Sequence, residues 1–70
     1  MAYFNYHACI KKLITDGKLK GYYFTAKHNK ISPALVLIFD SKTHPVMPLK
    51  QDRWLDYIDL LPPRLRLPDR

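Results

Sequence analysis

Six consecutive apolar residues, Ala34-Leu35-Val36-Leu37-Ile38-Phe39, stand at the middle of the chain between Pro33 and Asp40. The run has the length of a strand and is too short for a self-contained helix. Side chains alternate across a strand, so Ala34, Val36 and Ile38 take one face and Leu35, Leu37 and Phe39 the other. Neither face is polar, and a strand of that kind is covered on both sides. The run is therefore expected to be the central strand, with the rest of the chain arranged around it.

The flanking segments carry their own periods. From Asn5 to Asp16, Tyr6, Ile10, Leu13 and Ile14 recur at three- and four-residue spacing with Cys9 beside them, which predicts an amphipathic helix. Asn5 suits its N-cap and Gly17 the left-handed residue after its end. Lys18 to His28 turns aromatic and β-branched at Tyr22, Tyr23, Phe24 and Thr25, which predicts a strand with Gly21 as a possible bulge. His28-Asn29-Lys30 is turn chemistry, and Pro33 belongs at the entrance of the central strand. Pro45-Val46-Met47-Pro48-Leu49 reads as extended chain that its two prolines confine to a sheet edge. A second helix is expected from Asp52, as N-cap, to about Leu61, where Pro62-Pro63 stops it; its apolar face is Trp54, Leu55, Tyr57, Ile58 and Leu61.

The order helix-strand-strand-strand-helix with short connections predicts an α+β fold: a three-stranded antiparallel sheet with both helices on one face. Residues 1–61 would form the single domain that 70 residues allow, and residues 62–70, rich in Pro, Arg and Leu, a tail that is flexible or docks on a neighbour.

Functional chemistry is sparse. Cys9 is the sole cysteine, so no internal disulfide can staple the fold, and a cytoplasmic location is expected. His7 and Cys9, two apart on a helix, point in different directions and cannot close on one metal ion. Asp52, Asp56 and Asp59 read as a cap and a wet helix face rather than a paired-carboxylate site. Gly17 and Gly21, the only glycines, form no phosphate-binding loop. No nucleophile, base and pocket are coupled, so no catalytic residue, cofactor or metal is expected. The N-terminus lacks the pattern of an export signal, and no apolar run reaches membrane-spanning length.

Two partner classes remain. With both helices on one face of the sheet, the other apolar face of the central strand has no element left to cover it. A second copy would, and a homodimer pairing through Leu35, Leu37 and Phe39 is the first expectation. The alternative follows from a net charge of +6: Lys18, Lys20 and Lys27 around Tyr22, Tyr23 and Phe24 could form a stacking platform for single-stranded nucleic acid, RNA above all. Ile31-Ser32-Pro33 and Met47 to Trp54 lie where the chain meets the ends of the sheet, a common place for binding residues.

Tyr3-Phe4-Asn5-Tyr6-His7-Ala8, Ile31-Ser32-Pro33-Ala34-Leu35-Val36, and Met47-Pro48-Leu49 followed by Arg53-Trp54 and Tyr57 together resemble a family of small proteins from Firmicutes bacteria. Some of its members bear the name thermostable haemolysin. The resemblance spans residues 3–61 and implies a small bacterial protein; the family has no established activity, so no functional residue carries over.

Overall fold

The computed structural model describes residues 6–70: a helix, three strands in an open antiparallel sheet, and a series of short 3-10 turns. Helix α1 spans Tyr6–Thr15; strands β1, β2 and β3 span Leu19–Thr25, Ala34–Phe39 and Val46–Lys50 and lie in that order across the sheet. The α+β class and the antiparallel sheet are those the sequence predicts, with the apolar run as its central strand. The N-cap expected at Asn5 lies outside the described residues.

Helix α1 buries Ile10 completely and sets Cys9, Leu13 and Ile14 partly against the core, leaving Lys11, Lys12 and Thr15 in water. Gly17 ends it at φ 74°, where a side chain would be strained. The Lys18 N–H reaches back to the Leu13 carbonyl at 2.9 Å and the Gly17 N–H to that of Ile14 at 3.1 Å. This closure satisfies two terminal carbonyls and turns the chain into β1.

A bulge then decides which residues face the core. Leu19 pairs with Phe39 and Gly21 with Ile38, so Lys20 is the extra residue. Strict alternation would put Leu19 on the side of Gly21 and Tyr23; the inserted residue moves it to the side of Tyr22 and Phe24. Those three meet Leu35, Leu37 and Phe39 of β2 and Met47 and Leu49 of β3, and Ile10, Tyr57 and Leu61 close over them. The helix and the C-terminal turns thus share one face. Leu35, Leu37 and Phe39, expected to meet a second copy, are instead the centre of this intramolecular core and have no surface to offer.

The second face carries Ala34 and Val36, which are also fully buried, and Ile38, which is half-buried. It is not left bare as the sequence suggests, and the tail reaches its β1 margin. Tail residue Leu67 lies so close to Gly21 that a Cβ added there would stand 3.0 Å from its Cδ1. The Arg70 guanidinium rests 4.9 Å from the centre of the Tyr23 ring. Along the outer edge of β1, the Leu67 N–H donates to the Tyr22 carbonyl at 2.7 Å and the Arg70 N–H to that of Phe24 at 3.0 Å, with Arg66 bridged to Tyr22 in parallel.

The expected second helix is wound differently. Gln51–Asp56 and Ile58–Leu60 are 3-10 turns, and Lys50, not Asp52, stands at the boundary, with no side-chain cap. In place of a cap, the Trp54 indole N–H donates to the Leu49 carbonyl at 3.0 Å. The two turns are broken at Tyr57, whose backbone stands at φ −125° and ψ −19°, and around that break Tyr57 is buried and Trp54 half-buried while Leu55 and Ile58 are exposed.

Candidate functional site

The six residues proposed for nucleic acid do not assemble into a platform. Lys18, Lys20 and Lys27 are exposed but lie before, within and after β1. The Tyr22 ring is buried, and its hydroxyl donates to the Pro62 carbonyl at 3.1 Å. Phe24 meets Trp54 edge to face at 5.0 Å and has the Arg66 guanidinium 4.8 Å above its ring. Tyr23 points to the opposite face, under Arg70. A stacking surface needs adjacent open rings, and each of these is already in contact with a neighbour.

Two segments picked out in the sequence do converge. The loop before β2 and the end of β3 enclose a shallow cleft of about 360 Å³, lined by Lys30, Ile31, Ser32 and Pro33 on one side and Lys50, Gln51 and Asp52 on the other. The loop is shaped by Asn29 at φ 55°, by paired hydrogen bonds between His28 and Ile31, and by the Ser32 hydroxyl, which donates to the Ala26 carbonyl at 2.7 Å. Two ammonium groups, a carboxylate and an amide over Ile31 and Pro33 could hold a small polar group. All seven lining residues remain open to water, so the charges act in a high dielectric and hold little.

The structure also makes a polar contact that sequence reasoning missed. The Tyr57 hydroxyl and His7 Nδ1 lie 2.7 Å apart, with the two rings 5.1 Å apart, although 50 positions separate the residues. Burial pushes the Tyr57 phenol above its ordinary value, Asp56 adds to the rise and Arg53 opposes it. No local period signals such a pair. The contact ties the start of α1 to the 3-10 turns and satisfies a phenol inside the core.

Beside Tyr57 the surface changes character. Leu55 is 85% exposed, and Ile58 and Leu60 stand out at 39% and 37%. Asp52, Arg53, Asp56 and Asp59 on the same turns are exposed as well, with Arg53 and Asp56 at 3.9 Å. These exposed aliphatic side chains, with both signs of charge on the same turns, were hidden in the sequence by the expectation of one continuous α-helix.

Among the described residues no group of three or more His, Cys, Asp and Glu could hold a metal ion, and no helix is long and apolar enough to cross a membrane. No protein-family model, curated protein or solved structure matches the chain.

Proposed function

We propose that this chain is a cytoplasmic, homodimeric interaction module that meets its second copy through the exposed aliphatic side chains of the 3-10 turns, Leu55 foremost with Ile58 and Leu60. The observation that carries the reading is the 85% exposure of Leu55, with Ile58 and Leu60 also exposed on the same run of 3-10 turns. Scattered apolar residues are ordinary on a protein surface, whereas neighbouring ones edged by polar groups mark contact sites. A second copy is the occupant because the residues around Leu55 carry both signs of charge, Arg53 beside Asp52, Asp56 and Asp59, so the surface is self-complementary about a two-fold axis. Size supports this, since a 70-residue chain with one cysteine has no covalent staple and gains buried area by pairing. The same unpaired thiol supports a reducing compartment. The nucleic-acid reading is left with net charge as its support.

Sedimentation equilibrium up to high micromolar concentration tests the proposal. The wild-type chain is expected at dimer mass and Leu55→Asp at monomer mass with an unchanged melting temperature. A wild-type monomer throughout that range removes the reading. Anisotropy with labelled RNA at low salt then decides whether the charge excess has a nucleic-acid partner.

A further inference from the structure

We infer that the β1 margin, completed by this chain's own docked tail, is a cationic edge that binds the phosphate backbone of double-stranded nucleic acid. It is a different surface from the Leu55 contact and needs no open ring, so it stands apart from both the dimer and the stacking platform.

Charges that the sequence scatters are gathered here by the topology. Lys18 precedes β1, Lys20 is its bulge residue and Lys27 follows it. The tail, bonded along β1 through the Leu67 and Arg70 amides, brings Arg64, Arg66 and Arg70 to the same margin. Half of the chain's twelve lysines and arginines therefore lie along one edge, and all six are exposed. The tail's own alternation sorts them: Leu65 packs against the core and Leu67 against Gly21, which leaves Arg64 and Arg66 in water. Opposing charge is sparse on this side. Asp69 holds Arg66 at 3.2 Å, and Asp40 stands beside Lys18, its N–H donating to the Lys18 carbonyl at 2.7 Å. Among the described residues the other five cations make no ion pair. Three of the six acidic residues, Asp52, Asp56 and Asp59, lie on the 3-10 turns instead.

Like charges gathered without counterions repel one another, and a polyanion turns that cost into attraction. Two of the arginines are also pre-positioned. Arg66 lies 4.8 Å from the centre of the Phe24 ring and Arg70 4.9 Å from that of Tyr23. A guanidinium held by its face keeps its N–H fork at the rim, where it matches phosphate oxygens, and exposed Asp69 is a weak competitor for it. With these rings covered, the edge contacts phosphates and not bases. A duplex fits better than a single strand: it carries about one negative charge per 1.7 Å of axis, and a single strand's bases find no ring to stack on.

Fluorescence anisotropy of the full chain with short labelled duplexes, one DNA and one RNA, tests the edge over a salt series. Expected is binding to at least one duplex, falling linearly with salt on logarithmic axes and differing by less than about two-fold between unrelated sequences. Lys20→Gln/Arg64→Gln should lower the salt slope by about two, because each lysine or arginine on a phosphate accounts for about one. Lys30→Gln/Lys50→Gln removes the same charge at the cleft beside β3 and should leave the slope within about half of one such contact. All four positions are exposed, and an unchanged melting temperature shows that each variant is folded. Equal losses from the two pairs would assign binding to net charge and overturn the edge. A strong sequence preference, or tighter binding of single strands of the same length, overturns the duplex-backbone reading, and no binding to either duplex at low salt overturns the whole inference.

Discussion

The two edges of the sheet solve one problem in different ways. Unpaired backbone groups on an edge strand invite other chains to add to them. Strand β3 protects itself with sequence: Pro48 sits opposite Val36, brings no N–H, and has its carbonyl capped by the Tyr6 hydroxyl at 3.3 Å. Strand β1 has no proline, and its Tyr22 and Phe24 carbonyls accept from the tail instead. An edge closed by a missing donor stays closed, while an edge closed by a segment is only as protected as that segment's attachment.

The comparison is broken most forcefully at Gly21. A Cβ there stands 3.0 Å from Leu67 Cδ1 and 3.3 Å from the Leu65 carbonyl oxygen, closer than ordinary side-chain contact, so the tail must shift to make room. Gly21→Val is expected to cost about 1–3 kcal/mol, the range for overpacking. Urea unfolding measures that cost, and amide exchange should show Leu67 and Arg70 losing protection while β3 keeps its own. Leu67→Ala removes the half-buried side chain without the clash and should cost about 1 kcal/mol. Retained protection of the Arg70 amide in Gly21→Val would mean that Leu67 does not hold the tail.

Tyr22→Phe comes next, at about 0.5–1.5 kcal/mol, because it leaves the ring in the core and removes the hydrogen bond to the Pro62 carbonyl. On the other edge, Pro48→Val is expected to move folding stability by less than about 0.5 kcal/mol while raising concentration-dependent association, since it supplies the outward donor that proline withholds. If Pro48→Val unfolds the protein without promoting association, then Pro48 serves the turn geometry and not edge protection.

How much of this was legible follows from the range over which each signal acts. The apolar run Ala34 to Phe39, the closure at Gly17, the bulge at Gly21 and the edge position of Pro48 are local, and local chemistry announced them. Adding Lys20 to the strand reassigns Leu19, and only the observed register says which face gains it. The exposure of Leu55 and Ile58 was missed because one continuous α-helix was expected where the chain forms two 3-10 turns broken at Tyr57. The tail's docking and the His7–Tyr57 contact are long-range, built from residues 40 or more positions apart. Periodicity has no means of expressing such a pairing.

The smallest expected effect lies on the β3 edge and depends on pH. Burial, with Cys9 as the lesser cause, pushes the Tyr6 phenol above its ordinary value of 10.0, and burial acts the same way on Tyr57. The folded chain therefore holds these protons more firmly than the unfolded chain does. Their contribution is complete below the unfolded value near 10.0 and is lost as pH climbs through the folded values, so this part of the stability falls on the alkaline side. Tyr6→Phe removes one of the two titrations along with an exposed hydrogen bond, changing stability near neutrality by about 0.5 kcal/mol or less. Urea midpoints near neutral pH and above the ordinary tyrosine value should show a smaller alkaline drop in Tyr6→Phe than in the wild type. Equal drops would place the alkaline sensitivity at Tyr57, in the core, and leave the β3 edge indifferent to pH.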